Sequence, residues 1–409
     1  MVMFSSSKLK LAMVGAAAII SLSACSSSPH TSHHGNRPAH STVPGSSTPI
    51  VTGPLPLTLN GVYCTPTSVC IATGELSPLY SNTGGHTWMY STEPAQAKSD
   101  YLYAVSCPTI MLCTATGEVS RNVPAALYTD NGGMTWSLST IPLSLNRIRG
   151  ISCPAAEYCV AVGQLDHSIG AVLSSHDAGR TWSMAGSPPA ISYLYSVSCP
   201  TVRQCAAVGY DYDTTHHGYI SGASVFSNNG GRTWSDGTMP PGIAVLSGVS
   251  CISPTHCIAV GSTDGNGGVV LVSNDGGRTW SKGSLPAGSS YLTAVSCASA
   301  NSCTTIGYRV PAGKGIDFNV VPTLDFYSKV IGPYWADSAA DIYYSTSGGT
   351  SWSKATVPQP VNALYGVACT TGRHCVAVGW NVKGNRASAI YSDNGGATWA
   401  SGLLGKVEL

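Results

Sequence analysis

Ser273-Asn274-Asp275-Gly276-Gly277-Arg278-Thr279-Trp280 is the stretch on which the fold turns. Two adjacent glycines supply the positive φ that a tight link between strands requires. The short polar residue before them can fold its side chain back onto backbone N–H groups. A Thr-Trp pair then opens the next strand and offers a large indole to a neighbouring sheet. Imperfect copies occupy residues 81–88, 129–136, 175–182, 227–234, 345–352 and 392–399. The acceptor position holds Asp177 and Asp275, then Asn131, Asn229 and Asn394, then Thr83 and Ser347. All are short acceptors, which points to one geometric role. Residues in seven equivalent places cannot share one catalytic centre, so these turns read as structural.

The flanks of the quoted turn give the repeating unit. Residues 246–251 alternate as a strand, 257–261 form a second, 262–268 a polar loop and 269–273 a third, and Trp280 opens a fourth. Four antiparallel strands in about 46 residues is the size of a propeller blade. The turn tryptophans recur every 46 to 52 residues, except for one interval of 72 before Trp352. That excess places an insertion at 308–340 in the sixth unit. The units are expected to close into an all-β, seven-bladed propeller over residues 55–409, which leaves no long sheet edge open. Each first strand carries a small residue: Gly61, Ala104, Gly150, Ser196, Gly248, Ala294 or Gly366. Small side chains suit strands that crowd a common axis.

The cysteines repeat in step. Apart from Cys25 they fall into pairs separated by five residues. These are Cys64 with Cys70, Cys107 with Cys113, Cys153 with Cys159, Cys199 with Cys205, Cys251 with Cys257, Cys297 with Cys303, and Cys369 with Cys375. An exported protein keeps such bridges, and the paired ends of a hairpin can meet their distance requirement. Each loop closure is worth about 2 kcal/mol by chain entropy before strain. Zinc would need further ligands that no unit supplies. We therefore expect one disulfide hairpin per blade, and no metal or cofactor.

The chain opens with Lys8 and Lys10, an apolar run over 11–22, and Leu22-Ser23-Ala24-Cys25. That is the pattern of a secretory signal over 1–24. With Cys at the cleavage point it resembles the bacterial lipoprotein signal, which implies lipid on Cys25 and attachment to the cell membrane. Residues 25–54 are rich in Ser, Pro, His and Gly and read as a flexible tether. Its His30, His33, His34 and His40 read as a solvated linker. Charged residues make up 10% of the chain. Losing the leader removes two lysines and no acid, which moves the formal charge from +1 to −1. Nothing here answers a nucleic-acid backbone, and a monomer is expected.

Strand direction sorts the loops. Disulfide hairpins and Trp turns both follow odd-numbered strands, so they share one uniform face. Loops between second and third strands share the opposite, variable face, where binding is expected. On it lie 164–169, 210–221 with Asp211, His216 and His217, and 380–386 with Trp380 and Arg386. The insertion adds Arg309, Lys314, Asp317, Asp325, Phe326, Tyr327, Tyr334 and Trp335. The second residue of each innermost strand should stand near the mouth: Asn60, Tyr103, Arg149, Tyr195, Ser247, Thr293 and Tyr365. Tyrosines around an arginine suit a sugar ring or a peptide; they equally suit packing between blades.

The repeated turn resembles the Asp-box, or bacterial neuraminidase repeat, of β-propeller proteins. Sialidases of that type imply an arginine triad, a Tyr–Glu nucleophile pair and an acid/base Asp. Here Arg180, Arg232 and Arg278 lie within the turns, and the family's N-terminal arginine motif is absent. A more general glycoside hydrolase would need paired carboxylates, for which Glu75, Glu118, Asp166 and Asp211 are the candidates. The chain also resembles the seven-bladed photosystem II assembly-factor type of propeller, which implies a protein partner and no chemistry. The expectation is thus a binding or scaffolding module for a protein or carbohydrate, with glycoside hydrolysis as the alternative.

Overall fold

Short alternating runs, linked by disulfide hairpins, variable loops and glycine turns, pair with their neighbours in sequence. The computed structural model describes residues 58–404, apart from 98–100, 120–122, 143, 166–168, 187, 190, 214–218, 266, 290, 310–337, 371–372 and 382–385. The leader, Cys25, the tether, Asp166, His216, His217 and Trp335 lie outside the described residues, as do Lys314, Asp317, Asp325, Phe326, Tyr327 and Tyr334. The fifth repeat forms Ile243–Cys251, Cys257–Thr263, Gly268–Ser273 and Ser281–Lys282. Trp280 sits just before the fourth strand, not in it, with its indole Nε1 donating to Gly277 O at 3.1 Å. In the sixth repeat Cys303–Arg309 and Ala339–Ser345 are regular strands, so the ends of the expected 308–340 insertion belong to the blade.

Seven sheets result, each running first to fourth strand in order, with a fifth short strand from the end of the ring added to the first sheet. The first strand of each packs on the first strands of its two neighbours, and the seventh returns to the first. A Cβ on Gly366 would lie 2.7 Å from Asn60 O and 3.1 Å from Gly61 Cα. Small residues therefore do crowd the axis. The apolar core is distributed between blades, as where Val160, Val162 and Val172 of one meet Leu194, Val225 and Trp234 of the next. The same packing joins Val376 and Val378 to Leu59, Leu79 and Trp88 across the seam where the ring closes. This is a seven-bladed β-propeller.

A bulge interrupts every first strand at the same place. Pairing skips one residue between Leu59 and Gly61, Leu102 and Ala104, Ile148 and Gly150, and Leu194 and Ser196. It does so again between Leu246 and Gly248, Leu292 and Ala294, and Leu364 and Gly366. The skipped residues are Asn60, Tyr103, Arg149, Tyr195, Ser247, Thr293 and Tyr365. Opposite each bulge the second strand holds a glycine: Gly74, Gly117, Gly163, Gly209, Gly261, Gly307 or Gly379. A Cβ on any of them would lie 1.8–2.2 Å from a carbonyl oxygen in the first strand or just before it. The bulge needs that space, and it re-aims one side chain per blade.

The turns use both of their polar positions. The leading Ser or Thr accepts the N–H of the second glycine, from 2.8 Å at Ser273 to 3.2 Å at Thr129. The short acceptor takes the N–H four residues on, at 2.9 Å for Asp177 with Thr181 and 3.0 Å for Thr83 with Thr87. The second glycine has φ between 75° and 90°. In six blades the first glycine donates to a carbonyl of its own disulfide hairpin, as Gly84 does to Ser68 at 2.8 Å and Gly348 to Asn301 at 3.2 Å.

All seven expected disulfides form. Cys64 is bonded to Cys70, Cys107 to Cys113, Cys153 to Cys159 and Cys199 to Cys205. Cys251 is bonded to Cys257, Cys297 to Cys303 and Cys369 to Cys375. Their Cα separations are 4.0–4.1 Å. The second cysteine of each pair opens a second strand or stands one residue inside it, and Cys70, Cys113, Cys159, Cys205 and Cys375 are all buried.

Two further stitches join blades. The serine before the first cysteine accepts the N–H of the next blade's first cysteine: Ser106 from Cys153, Ser152 from Cys199, Ser198 from Cys251, Ser250 from Cys297 and Ser296 from Cys369. Beyond the fourth strand, Thr92, Thr140, Thr238, Ser284 and Thr356 make parallel bridges to the following Trp turn. At the closing seam Leu403–Leu404 lies parallel to Thr87 and Trp88, and Leu403 N donates to His86 O at 2.8 Å. Each blade draws its own four strands from consecutive sequence, and Leu403–Leu404 adds to the first blade's sheet as a fifth strand.

Gly209→Ala is expected to cost more than about 3 kcal/mol, because its Cβ would strike the Tyr193 carbonyl. Gly265→Ala, with nothing within 4 Å, is expected to be neutral; denaturant melts of both variants check this. The turn aspartates give a pH dependence. Burial alone would raise the Asp177 and Asp275 carboxyls, but hydrogen bonds from Thr181 and Thr279 hold both below their ordinary value. A depressed folded value stabilises above the unfolded one and is lost as pH falls through the folded one, so the melting temperature should drop below about pH 4. Asp177→Asn with Asp275→Asn, which keeps the turn geometry, should flatten that drop in a thermal scan.

Candidate functional site

The bulged side chains converge at the strand ends remote from the disulfides. Some join neighbours through backbone: Asn60 Nδ2 donates to Leu102 O at 3.3 Å, and Thr293 Oγ1 to Leu364 O at 2.7 Å. In blades two to four the contacts run between side chains. The Arg149 guanidinium lies 3.8 Å over the Tyr103 ring and 6.0 Å from the Tyr193 ring, and its Nε donates to the Tyr193 hydroxyl at 2.9 Å. Tyr103 donates to Glu118 Oε1 at 2.6 Å. Arg147 Nε stands 3.5 Å from Glu118 Oε2. Burial pushes the Tyr103 phenol far above its ordinary value, with the Arg149 charge working against the shift and Glu118 adding to it.

Aromatic pairs flank this centre. Tyr193 stacks on Tyr210 with ring centroids 5.5 Å apart, and Tyr195 leans on both. Burial, then the neighbouring Tyr193, raises the Tyr210 phenol. Tyr291 and Tyr308 repeat the stack at 5.5 Å in blade six. Arg149 and Glu118 are buried, at 8% and 3% exposure, and Tyr365 is buried too. Tyr103, Tyr195, Arg147 and Tyr212 are half-buried. The cluster is therefore a packed floor with four side chains partly open to its rim.

The sequence candidates are distributed accordingly. Tyr103, Arg149, Tyr195 and Glu118 come together; Tyr365 packs in blade seven, where Trp380 is half-buried and Arg386 exposed. Glu75 accepts from the Tyr101 hydroxyl at 2.8 Å. Asp211 accepts from Ser192 Oγ at 2.8 Å and from its neighbour Tyr212 N at 2.9 Å. Arg309 is committed elsewhere. It forks onto the buried Asp341 at 2.9–3.3 Å, with Lys354 Nζ 2.7 Å from the same carboxylate. Burial, then Asp341, pushes the neighbouring Tyr343 phenol up to about 12. Sequence reading passed over Asp341, Arg147 and Ser192. The only trace of Asp341 was a lone acid in an otherwise apolar strand, Ala339–Ser345.

No family profile and no curated protein sequence matches this chain. Solved structures do. YCF48 bound to D1 peptide superposes with a TM-score of 0.56 at 14% identity, covering 84% of this chain and 95% of that one. YCF48 from Cyanidioschyzon merolae gives 0.52 at 13%, covering 84% and 98%. U3-55K gives 0.57 at 10%, covering 84% and 97%. At such identities the likeness is one of fold.

Arg149→Lys keeps the charge but loses the flat cation between two tyrosines, and is expected to cost about 1–2 kcal/mol. Urea melts against the parent protein, with Arg386→Lys as an exposed control, check the size of the effect.

Proposed function

We propose that this protein is a non-catalytic binding or scaffolding propeller, lipid-anchored through Cys25 to a bacterial cell envelope. It presents the face remote from the disulfides to a protein or carbohydrate ligand. The observation that carries this reading is the Tyr103–Arg149–Tyr193 cluster, set by bulges and fixed before any ligand arrives. Pre-organised aromatic and cationic groups lower the ordering cost of binding. Glu75, Glu118 and Asp211 each accept a hydrogen bond from a neighbouring hydroxyl, which suits anchoring more than proton transfer. A propeller of like fold has been solved with a D1 peptide bound, which supports a protein ligand.

The test pairs a glycan array and envelope pull-downs with a chromogenic-glycoside screen. Binding weakened by Tyr195→Ala or Arg147→Ala, with no glycoside turnover, is the expected result. Turnover abolished by Glu75→Gln or Glu118→Gln would overturn it.

A further inference from the structure

The face that carries the disulfides is not uniform. Between blades three and four it opens into a groove of about 810 Å3, and the repeat breaks its own rules around that groove. Ala178, with φ 61°, stands where six blades have the first glycine of the turn. Its hairpin closes instead by pairing Ala155 with Tyr158, with Glu157 at the tip. Gly186 replaces the Thr or Ser that makes the parallel bridge at five other seams. A Cβ at Gly186 would lie 1.7 Å from the Arg232 carbonyl.

The arginine of the turn is changed in its surroundings rather than its identity. Arg180 rests 5.1 Å over Tyr128 of the preceding blade and faces Asp130 at 3.8 Å. Arg278 rests 4.9 Å over Phe226 and donates to Asn228 at 2.9 Å. For Arg232 the shelf position is Ser174 and the acceptor position is His176. Both line the groove, as does Arg203 from the blade-four hairpin. Among the described residues neither the Arg203 nor the Arg232 side chain has a hydrogen-bond or ion-pair partner. Beside them Met184 and Val202 are exposed, at 42% and 46%, and line the same groove.

We propose that this groove is a second binding site, taking a peptide segment in which an acidic side chain lies beside an apolar one. The carboxylate would seat between Arg203 and Arg232 as a charge-assisted pair, and the apolar side chain on Met184 and Val202. A groove of this volume holds a few residues. Two unpaired guanidinium groups outweigh the single Glu157 carboxylate, so the lining selects an anion. The site lies on the face opposite the one in the proposed function, and stands or fails apart from it.

The test uses the full chain with its disulfides intact and a short fluorescein-labelled peptide alternating Glu with Leu, against its Gln counterpart, read by fluorescence anisotropy. We expect saturable binding of the Glu peptide that weakens with salt, and loss of about tenfold or more in Arg232→Gln. A second variant, Ser174→Tyr with His176→Asp, restores to Arg232 the shelf and partner that Arg180 has. It should abolish binding while leaving the melting temperature equal or higher, and Tyr195→Ala should leave binding unchanged. Equal binding of the Glu and Gln peptides, undiminished binding by the restored variant, or free glutarate matching the peptide's affinity would each overturn the proposal.

Discussion

A missing side chain, repeated around the ring, is the constraint on which this molecule rests. Where each second strand passes the bulge of its partner, a carbonyl oxygen occupies the space in which a Cβ would sit. The glycine lets the two strands approach, the approach forces one residue out of register, and that residue turns toward the axis. Close strand approach, the seven bulges and the re-aimed side chains thus share one steric origin. The cluster of Tyr103, Arg149 and Tyr193 is the chemically richest outcome, because there the re-aimed groups are an aromatic and a cation within reach of a buried carboxylate.

The seams between blades carry the remaining organisation. Serine hydroxyls, parallel bridges and apolar layers recur with the period of the repeat, and each ties one blade to the next. Such redundancy stabilises a propeller in small increments, and a single altered seam leaves the rest intact. That tolerance is what permits the seam between blades three and four to depart from the pattern. Ser174 and His176 leave Arg232 without the ring and the acceptor that Arg180 and Arg278 have, while Ala178 and Gly186 drop the turn and bridge contacts made at other seams.

Much of the fold was legible in the chain. The turn around Trp280 named its own acceptors, the cysteines announced their partners, and the small residues from Gly61 to Gly366 marked the axis. The ring of second residues was located by counting along strands, and all seven coincide with the bulges. The cause was not legible: Gly117 or Gly209 looks like any strand glycine until a carbonyl is seen facing it. The two sites were visible in different degrees. Arg149 and its tyrosines stood out by type, whereas Glu118 belonged to a list of acids with no sign that it was buried. Repeats are read for what they share, so the disulfide face read as uniform. Arg232 looked like its two sisters, since its difference lies in residues of the preceding blade. Arg309 drew notice as a loop cation, and Asp341, its buried partner, carried no signal beyond being acidic in an apolar strand.

The way the circle closes explains how a two-residue strand can hold its place. Leu403–Leu404 lies against Thr87 and Trp88 of the same molecule, a contact that any second copy offers equally well. What keeps it internal is proximity: the tail is held near its target at an effective concentration far above that of neighbours in solution. That short strand therefore adds backbone pairing to the apolar packing that already joins the last blade to the first.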